Sequence, residues 1–131
     1  MAYQVSSFDA LGDGPGFRKV RGALGVTAFG VNGIVFPPRY EGPNHFHDTQ
    51  DELYFVHRGT ATFSFDGDEQ EVAEGGIVHV ESTTHRMISN RTGADLVLFI
   101  VGGKGGYVER DGQVVSPDDL AKRIAMKELQ T

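Results

Sequence analysis

Over most of this chain, apolar and polar residues alternate rather than repeat at helical spacing. From Thr60 to Phe65, Ala61, Phe63 and Phe65 fall on one side and Thr60, Thr62 and Ser64 on the other, the period-two pattern of a half-buried strand. Asp66-Gly67 follows directly. Both central positions of a type I′ turn need positive φ, so this dipeptide predicts a hairpin whose second strand runs from about Asp68 to Ala73. Further strands are predicted over Leu53 to His57, Ile77 to Glu81, Arg86 to Ser89 and Asp95 to Val101, parted by short Gly, Asn, Ser or Thr breaks. Strands at this spacing build a sandwich or barrel. A second Asp-Gly, at Asp111-Gly112, predicts a late hairpin between Tyr107 to Arg110 and Gln113 to Val115. Asn32-Gly33 reads either as a third turn or as part of one bulged strand from Val26 to Phe36, and the bulged strand is preferred.

Only the C-terminal end reads as helical. Ser116 is a good N-cap, Pro117 suits the first helical position, Asp118 and Asp119 complement the helix dipole, and Leu120, Ile124 and Leu129 recur at helical spacing. The prediction is a helix over Pro117 to Leu129. The first seventeen residues hold Gly12, Gly14, Pro15 and Gly16 and read as an arm, either loose or packed on a neighbour. The expected plan is an arm over 1–17, a β-barrel over 18–115 that includes the late hairpin, and a helix over 116–131. No internal repeat interrupts it.

Composition narrows the function. At 131 residues, 39% of them apolar and 23% charged, the chain is long enough for one hydrophobic core. Its 18 glycines fit many tight turns. A net charge of -6 is the wrong sign for nucleic acid or an anionic membrane surface, so neither is expected as a partner. The longest apolar run, Leu96 to Val101, is far short of the roughly 18 residues of a membrane helix. The first fifteen residues lack Lys and Arg, so no secretory signal is expected and a cytoplasmic location is the simplest expectation. With no cysteine, a bound metal must be held by His, carboxylate or water.

His45-x-His47 is the pattern that carries chemistry. On a strand, residues i and i+2 project from one face, so both imidazoles reach a common point. Five histidines in 131 residues give roughly 0.2 chance occurrences of the pair. Glu52 at five residues beyond and Gly59 at seven more lower that to roughly a few in a thousand. The alternative is two exposed loop histidines near Gly42-Pro43 and a surface glutamate.

His45-x-His47, four residues, Glu52, six residues and Gly59 resemble the first signature of the cupin superfamily, continued by Leu53-Tyr54-Phe55-Val56 and the Asp66-Gly67 hairpin. Gly75-Gly76-Ile77-Val78-His79-Val80, leading to His85 and Asn90, resembles the second signature. The resemblance spans about Arg39 to Val101. It implies an all-β fold, a small double-stranded β-helix (jelly-roll) barrel, here with a C-terminal hairpin and short helix, and it implies a homodimer. It also implies one divalent metal held by His45, His47, Glu52 and His85. The chain departs from the pattern at Arg39, where the family has glycine, and at Glu81-Ser82-Thr83-Thr84, where the usual proline and glycine are missing. His85 also sits one residue nearer Gly75 than the family spacing. Since a one-residue shift on a strand reverses the face, His85 either ligates or points away while water takes its place, and His79 is the spare ligand.

Imidazoles and one carboxylate suit Fe, Mn, Ni, Cu, Co or Zn rather than Ca or Mg, and leave open positions for substrate. A small metabolite in the barrel is the expected partner. The expected activity is that of a metal-dependent oxidoreductase (dioxygenase-like), isomerase or decarboxylase, and the alternatives are a binding or sensing module and a barrel that holds no metal. Tyr54 and His79 are the candidate catalytic groups for proton transfer. Arg39 and Arg86 are candidate partners for a substrate carboxylate, weighed against ordinary surface arginines. His57, five residues from Glu52, faces away from it.

Overall fold

The structure, a computed structural model, describes residues 2–128, and side chains as far as residue 126. Among the described residues there are eleven strands: β1 (Gly16–Arg18), β2 (Gly30–Phe36), β3 (Tyr40–Glu41), β4 (His45–His47), β5 (Asp51–Arg58), β6 (Thr60–Phe65), β7 (Asp68–Ala73), β8 (Ile77–Val80), β9 (Met87–Asn90), β10 (Leu96–Gly103) and β11 (Gly112–Val114). Two helices, α1 (Val20–Leu24) and α2 (Pro117–Glu128), flank them. A five-stranded sheet in the order β1-β2-β10-β5-β8 faces a four-stranded sheet β3-β9-β6-β7, and β4 pairs with β11 in a separate ribbon. All these pairings are antiparallel. This is the expected all-β double-stranded β-helix with one short C-terminal helix. No helix among the described residues is long and apolar enough to cross a membrane.

Alternation decides which side chains fill the barrel. On β5, Glu52, Tyr54 and Val56 point inward and are buried, while Leu53, Phe55 and His57 face out. Ala61 and Phe63 on β6 and Leu96 and Leu98 on β10 are fully buried beside Ile34, Phe36 and Ile88. The hairpin at Asp66-Gly67 forms as expected, with φ of 48° and 93°. Gly59 turns β5 into β6 at a φ of 84°, and a Cβ there would lie 2.7 Å from the Asp95 carbonyl oxygen.

Three expectations are corrected. Residues 30–36 form one strand in unbroken register with β10, with neither a turn nor a bulge at Asn32-Gly33. The arm packs on this chain itself: β1 pairs with β2, and the Phe8 ring stacks on Phe99 at 4.2 Å over the space that Gly33 leaves. The late hairpin does not form. Residues 107–110 are not a strand, and β11 pairs instead with β4, setting Gly112 against His47 and Val114 against His45.

Helix α2 begins as predicted, with the Asp119 N–H donating to Ser116 Oγ at 3.2 Å. Its buried face is not the expected one. Asp119 and Met126 face the barrel, whereas Leu120 and Ile124 are 44% and 49% exposed. The Asn44 N–H donates to Asp119 Oδ1 at 2.9 Å, and this anchor at the helix start fixes its rotation. Leu129, the third residue of the expected face and the predicted helix end, lies outside the described residues.

Candidate metal centre

The site is built on β4. His45 and His47 project to the same side, their ring centroids 5.7 Å apart, and Glu52 enters from the start of β5. One ligand atom from each of the three lies within 4.8 Å of the other two. His47 Nε2 is 3.1 Å from Glu52 Oε1.

A surrounding layer orients these groups. His45 Nδ1 is 3.1 Å from the Pro43 carbonyl, which accepts its proton and so fixes the tautomer that leaves Nε2 bare. Burial holds the His45 pKa below its ordinary value, against the Pro43 carbonyl and the Glu52 charge, so the ring is neutral and ready to ligate. His47 Nδ1 lies 3.1 Å from the Gln50 side-chain amide and 3.6 Å from Asp111 Oδ2. Asp111 is itself held by the backbone N–H groups of Thr49 (3.1 and 2.9 Å) and Gln50 (2.7 Å).

Glu52 is unusually well compensated. Its Oε1 accepts from the Tyr54 hydroxyl at 2.5 Å and from Arg86 Nη2 at 3.0 Å. Burial alone would raise this carboxyl. The hydrogen bond and charge of His47, the Tyr54 hydroxyl and the Arg86 guanidinium outweigh burial and hold it at about 2. Burial and the neighbouring Glu52 charge push the Tyr54 phenol well above its ordinary value. Tyr54 therefore stays protonated and donates to Glu52.

Of the expected ligands, the structure brings His45, His47 and Glu52 together and does not bring His85 to them. His85 is half-exposed, stacked on Phe46 at 4.9 Å and 3.9 Å from Asp66 Oδ1. The cause is the one-residue shift in the second signature. Arg86 and His45 face each other as a bridged pair, each N–H donating to the other's carbonyl, so Arg86 takes the inward position and His85 the outward one. Arg86 is fully buried and also donates through Nη1 to the carbonyls of Ser82 (3.0 Å) and Thr84 (2.7 Å). The spare ligand and candidate catalytic group His79 is exposed and pairs with Leu53 on the outer face of the sheet. Arg39 is exposed and donates to the Arg91 carbonyl at 2.6 Å, away from the centre. His57 faces outward, as expected.

Sequence reasoning missed Asp111, Gln50 and the internal role of Arg86. Asp111 carried a signal, the Asp-Gly pair, but it reads as a turn until β11 is seen lying on β4. Gln50 carried none. Arg86 was visible as an arginine on a strand, and only its face was undetermined.

The centre lies at one side of a cavity of about 630 Å³. Ile34, Phe36, Ile88, Leu98 and Ile100 give it apolar walls. Two buried polar atoms on its lining, Tyr40 Oη and Gln50 Oε1, have no hydrogen-bond partner among the described residues. In a buried setting such atoms are costly unless a guest or water satisfies them. The donor set, with neutral His45 and ionised Glu52, fits a borderline divalent ion; with the Gln50 amide turned over, its unpartnered Oε1 accepts from His47 Nδ1–H and leaves Nε2 bare to ligate.

Residues 34–102 match the family model described as Cupin domain. A search of curated proteins finds no match. Among solved structures, the fold is similar to an uncharacterized conserved protein with a double-stranded β-helix domain from Klebsiella pneumoniae. The TM-score is 0.72 at 16% identity, covering 86% of this chain and 97% of that one. It is similar also to a cupin protein from Bacteroides fragilis (TM-score 0.68, 21% identity, 83% and 90% covered). A third similar structure is a sugar phosphate isomerase from a cupin superfamily, from Silicibacter pomeroyi (TM-score 0.64, 20% identity, 78% and 76% covered). At these identities the likeness is one of fold.

Proposed function

This chain belongs to the cupin domain family, and on that premise we propose that it binds one divalent transition metal through His45, His47 and Glu52 and acts on a small metabolite held in the barrel. The observation that carries this reading is the convergence of those three ligand atoms on the wall of a cavity large enough for a guest. Two histidines and one carboxylate leave open positions, the mark of a reactive site rather than a closed structural one. A divalent ion held there supplies Lewis-acid polarisation of a substrate oxygen. The chain's own residues do the rest. Pro43 and Gln50 orient the two imidazoles, Arg86 and Tyr54 keep Glu52 ionised and fixed, and the apolar walls exclude water from the guest.

Reaction classes within this reading are dioxygenase-, isomerase- or decarboxylase-like. One observation favours a second reading, a binding or sensing module without turnover: Tyr54 is locked as a donor to Glu52 and His79 faces out, so neither candidate catalytic group stands ready as a base. Elemental analysis of the purified chain tests the metal, with about one equivalent expected and near none after His47→Ala. Oxygen uptake and turnover assays on enols, diketones and keto acids separate the two readings: turnover by the loaded chain supports the enzyme, and metal with no turnover on any of them supports the module.

The homodimer belongs to the same proposal. Leu53, Phe55, Ile77 and Val101 are exposed on the outer face of the five-stranded sheet, and strand pairing sets Leu53 beside Val101 and Phe55 beside Ile77. A contiguous apolar face at an edge strand suits a second copy of itself. Sedimentation is expected to give a dimer that Ile77→Glu converts to monomer; a wild-type monomer at tens of micromolar refutes the pairing.

A further inference from the structure

Three arginines that the site described above does not use share its cavity: Arg21 from α1, Arg110 from the segment before β11, and Arg123 from α2. We infer that they form an anion subsite, and that the cavity takes a small carboxylic acid with an apolar body. Its carboxylate sits among these guanidiniums and its body lies against the apolar walls. The inference rests on the reading of the cavity as the ligand site and deepens it by naming the ligand class.

The chain carries a net charge of -6, yet three of its twelve cations converge on one cavity. Among the described residues, none of the three pairs with a carboxylate; the Arg and Lys ion pairs use Arg86, Arg91, Lys104 and Lys122 instead. The Arg21 guanidinium lies 4.0 Å over the Tyr107 ring, and Arg123 Nη1 donates to the Gly112 carbonyl at 3.2 Å. Both contacts hold the side chain in place and leave its charge uncompensated. Arg110 has a φ of 54°, a left-handed backbone that costs a non-glycine residue free energy and recurs at ligand sites.

The acidic groups on the lining are Glu52 and Asp111. Both are already engaged, Glu52 by Arg86 and Tyr54, Asp111 by the N–H groups of Thr49 and Gln50. Arg86 offsets the Glu52 charge, whereas neutral N–H groups leave that of Asp111 in place, so three guanidiniums share the cavity with one uncompensated carboxylate and its balance is positive. Guanidinium groups match oxyanions through parallel N–H donors. The walls decide the body. Ile34, Phe36, Leu98 and Ile100 offer no hydrogen bonds, so a guest lying along them loses water partners for each hydroxyl it carries there, while Tyr40 Oη and Gln50 Oε1 leave room for one or two polar groups near the centre. That favours an apolar acid over a sugar phosphate.

The test is calorimetric titration with 3-phenylpropionate and its neutral counterpart 3-phenylpropanol, with sn-glycerol 3-phosphate as competitor. The protein is the full chain after chelation and dialysis, and the same chain loaded with Zn²⁺. The acid is expected to bind about tenfold or more tightly than the alcohol in the metal-free chain. Added NaCl should weaken the acid and spare the alcohol. The double variant Arg110→Gln/Arg123→Gln, checked for an unchanged melting curve, should reduce the preference to within about threefold, and Arg110→Lys should keep most of it. Equal binding of acid and alcohol, a preference untouched by the double variant, or absence of acid binding at millimolar concentration overturns the subsite. Displacement by glycerol phosphate at lower concentration than the acid overturns the apolar body. A preference that needs Zn²⁺ and survives the double variant refutes the subsite and spares the metal reading. The converse, a preference kept by a chain that takes up no Zn²⁺, supports the subsite and refutes the metal reading.

Discussion

Replacing Arg86 with Met keeps a long, unbranched side chain in the barrel while deleting one charge. The structure sets the size of the effect. Arg86 is fully buried, its partner Glu52 is 7% exposed, and the two are joined at 3.0 Å. Without the guanidinium, a buried carboxylate loses its cation and the carbonyls of Ser82 and Thr84 lose their donors. Breaking a buried pair from one side costs about 3–5 kcal/mol. Against the roughly 5–15 kcal/mol that holds a domain folded, the variant should fold with a much reduced margin. For a chain of this length it corresponds to a fall in Tm of about 10–20 °C. Urea denaturation and calorimetry of R86M measure it. Glu52→Gln in the same chain removes the orphaned charge and should recover about half of the loss or more. A divalent ion bound at the centre also offsets that charge, so Zn²⁺ should raise the melting temperature of R86M by more than that of the wild type. A loss below about 1 kcal/mol in R86M, or a double variant no more stable than R86M, would refute the reading that Glu52 stays ionised because Arg86 compensates it.

Other measurements bear on other parts of the structure. His85→Ala should leave metal content near that of the wild type, since His85 stacks on Phe46 outside the centre; a loss equal to that of His47→Ala would place it back among the ligands. Asp111 and Asp119 both titrate below their ordinary value of 3.8. Burial alone would raise each. The Gln50 and Thr49 N–H groups outweigh it for Asp111, and the Ser116 hydroxyl and Asn44 N–H for Asp119. A depressed carboxyl contributes stability that is complete above its unfolded value and lost as pH falls through the folded one. Stability in urea should thus decline below about pH 4, and the gap between wild type and Asp119→Asn should narrow over that range; a constant gap contradicts the assignment. Gly59→Ala should cost about 2 kcal/mol or more by chemical denaturation, because φ is 84° and the new Cβ meets the Asp95 carbonyl oxygen; a neutral effect would count against that turn.

The strands, their hairpin and the pairing of the two histidines follow from local rules. Alternation at 60–65 and positive φ at Asp66-Gly67 are properties of consecutive residues, so the hairpin is readable without any knowledge of the rest. The spacing of His45 and His47 is of the same kind: period two on a strand places both rings on one side whatever the strand packs against, whereas Glu52 meets them only because β5 lies beside β4. Where two segments meet is a different matter. Asp111-Gly112 has the sequence of a turn, and only the docking of β11 on β4 turns its aspartate toward His47. The rotation of α2 was set by the Asn44 N–H on Asp119 and not by the spacing of Leu120 and Ile124.

From its sequence alone, this protein is read as a β sandwich or barrel with two histidines on one side of a strand, because strand periodicity and turn stereochemistry act over a few neighbouring residues; the barrel topology and the place of Glu52 beside them were what the family resemblance implied. Tertiary structure alone decided that an arginine and not a histidine takes the inward position at the fourth corner of the expected site. A single residue of register, fixed by the backbone bonds between His45 and Arg86, exchanges the inner face for the outer one. It alone, too, gathered Arg21, Arg110 and Arg123 on one cavity from segments far apart in the chain.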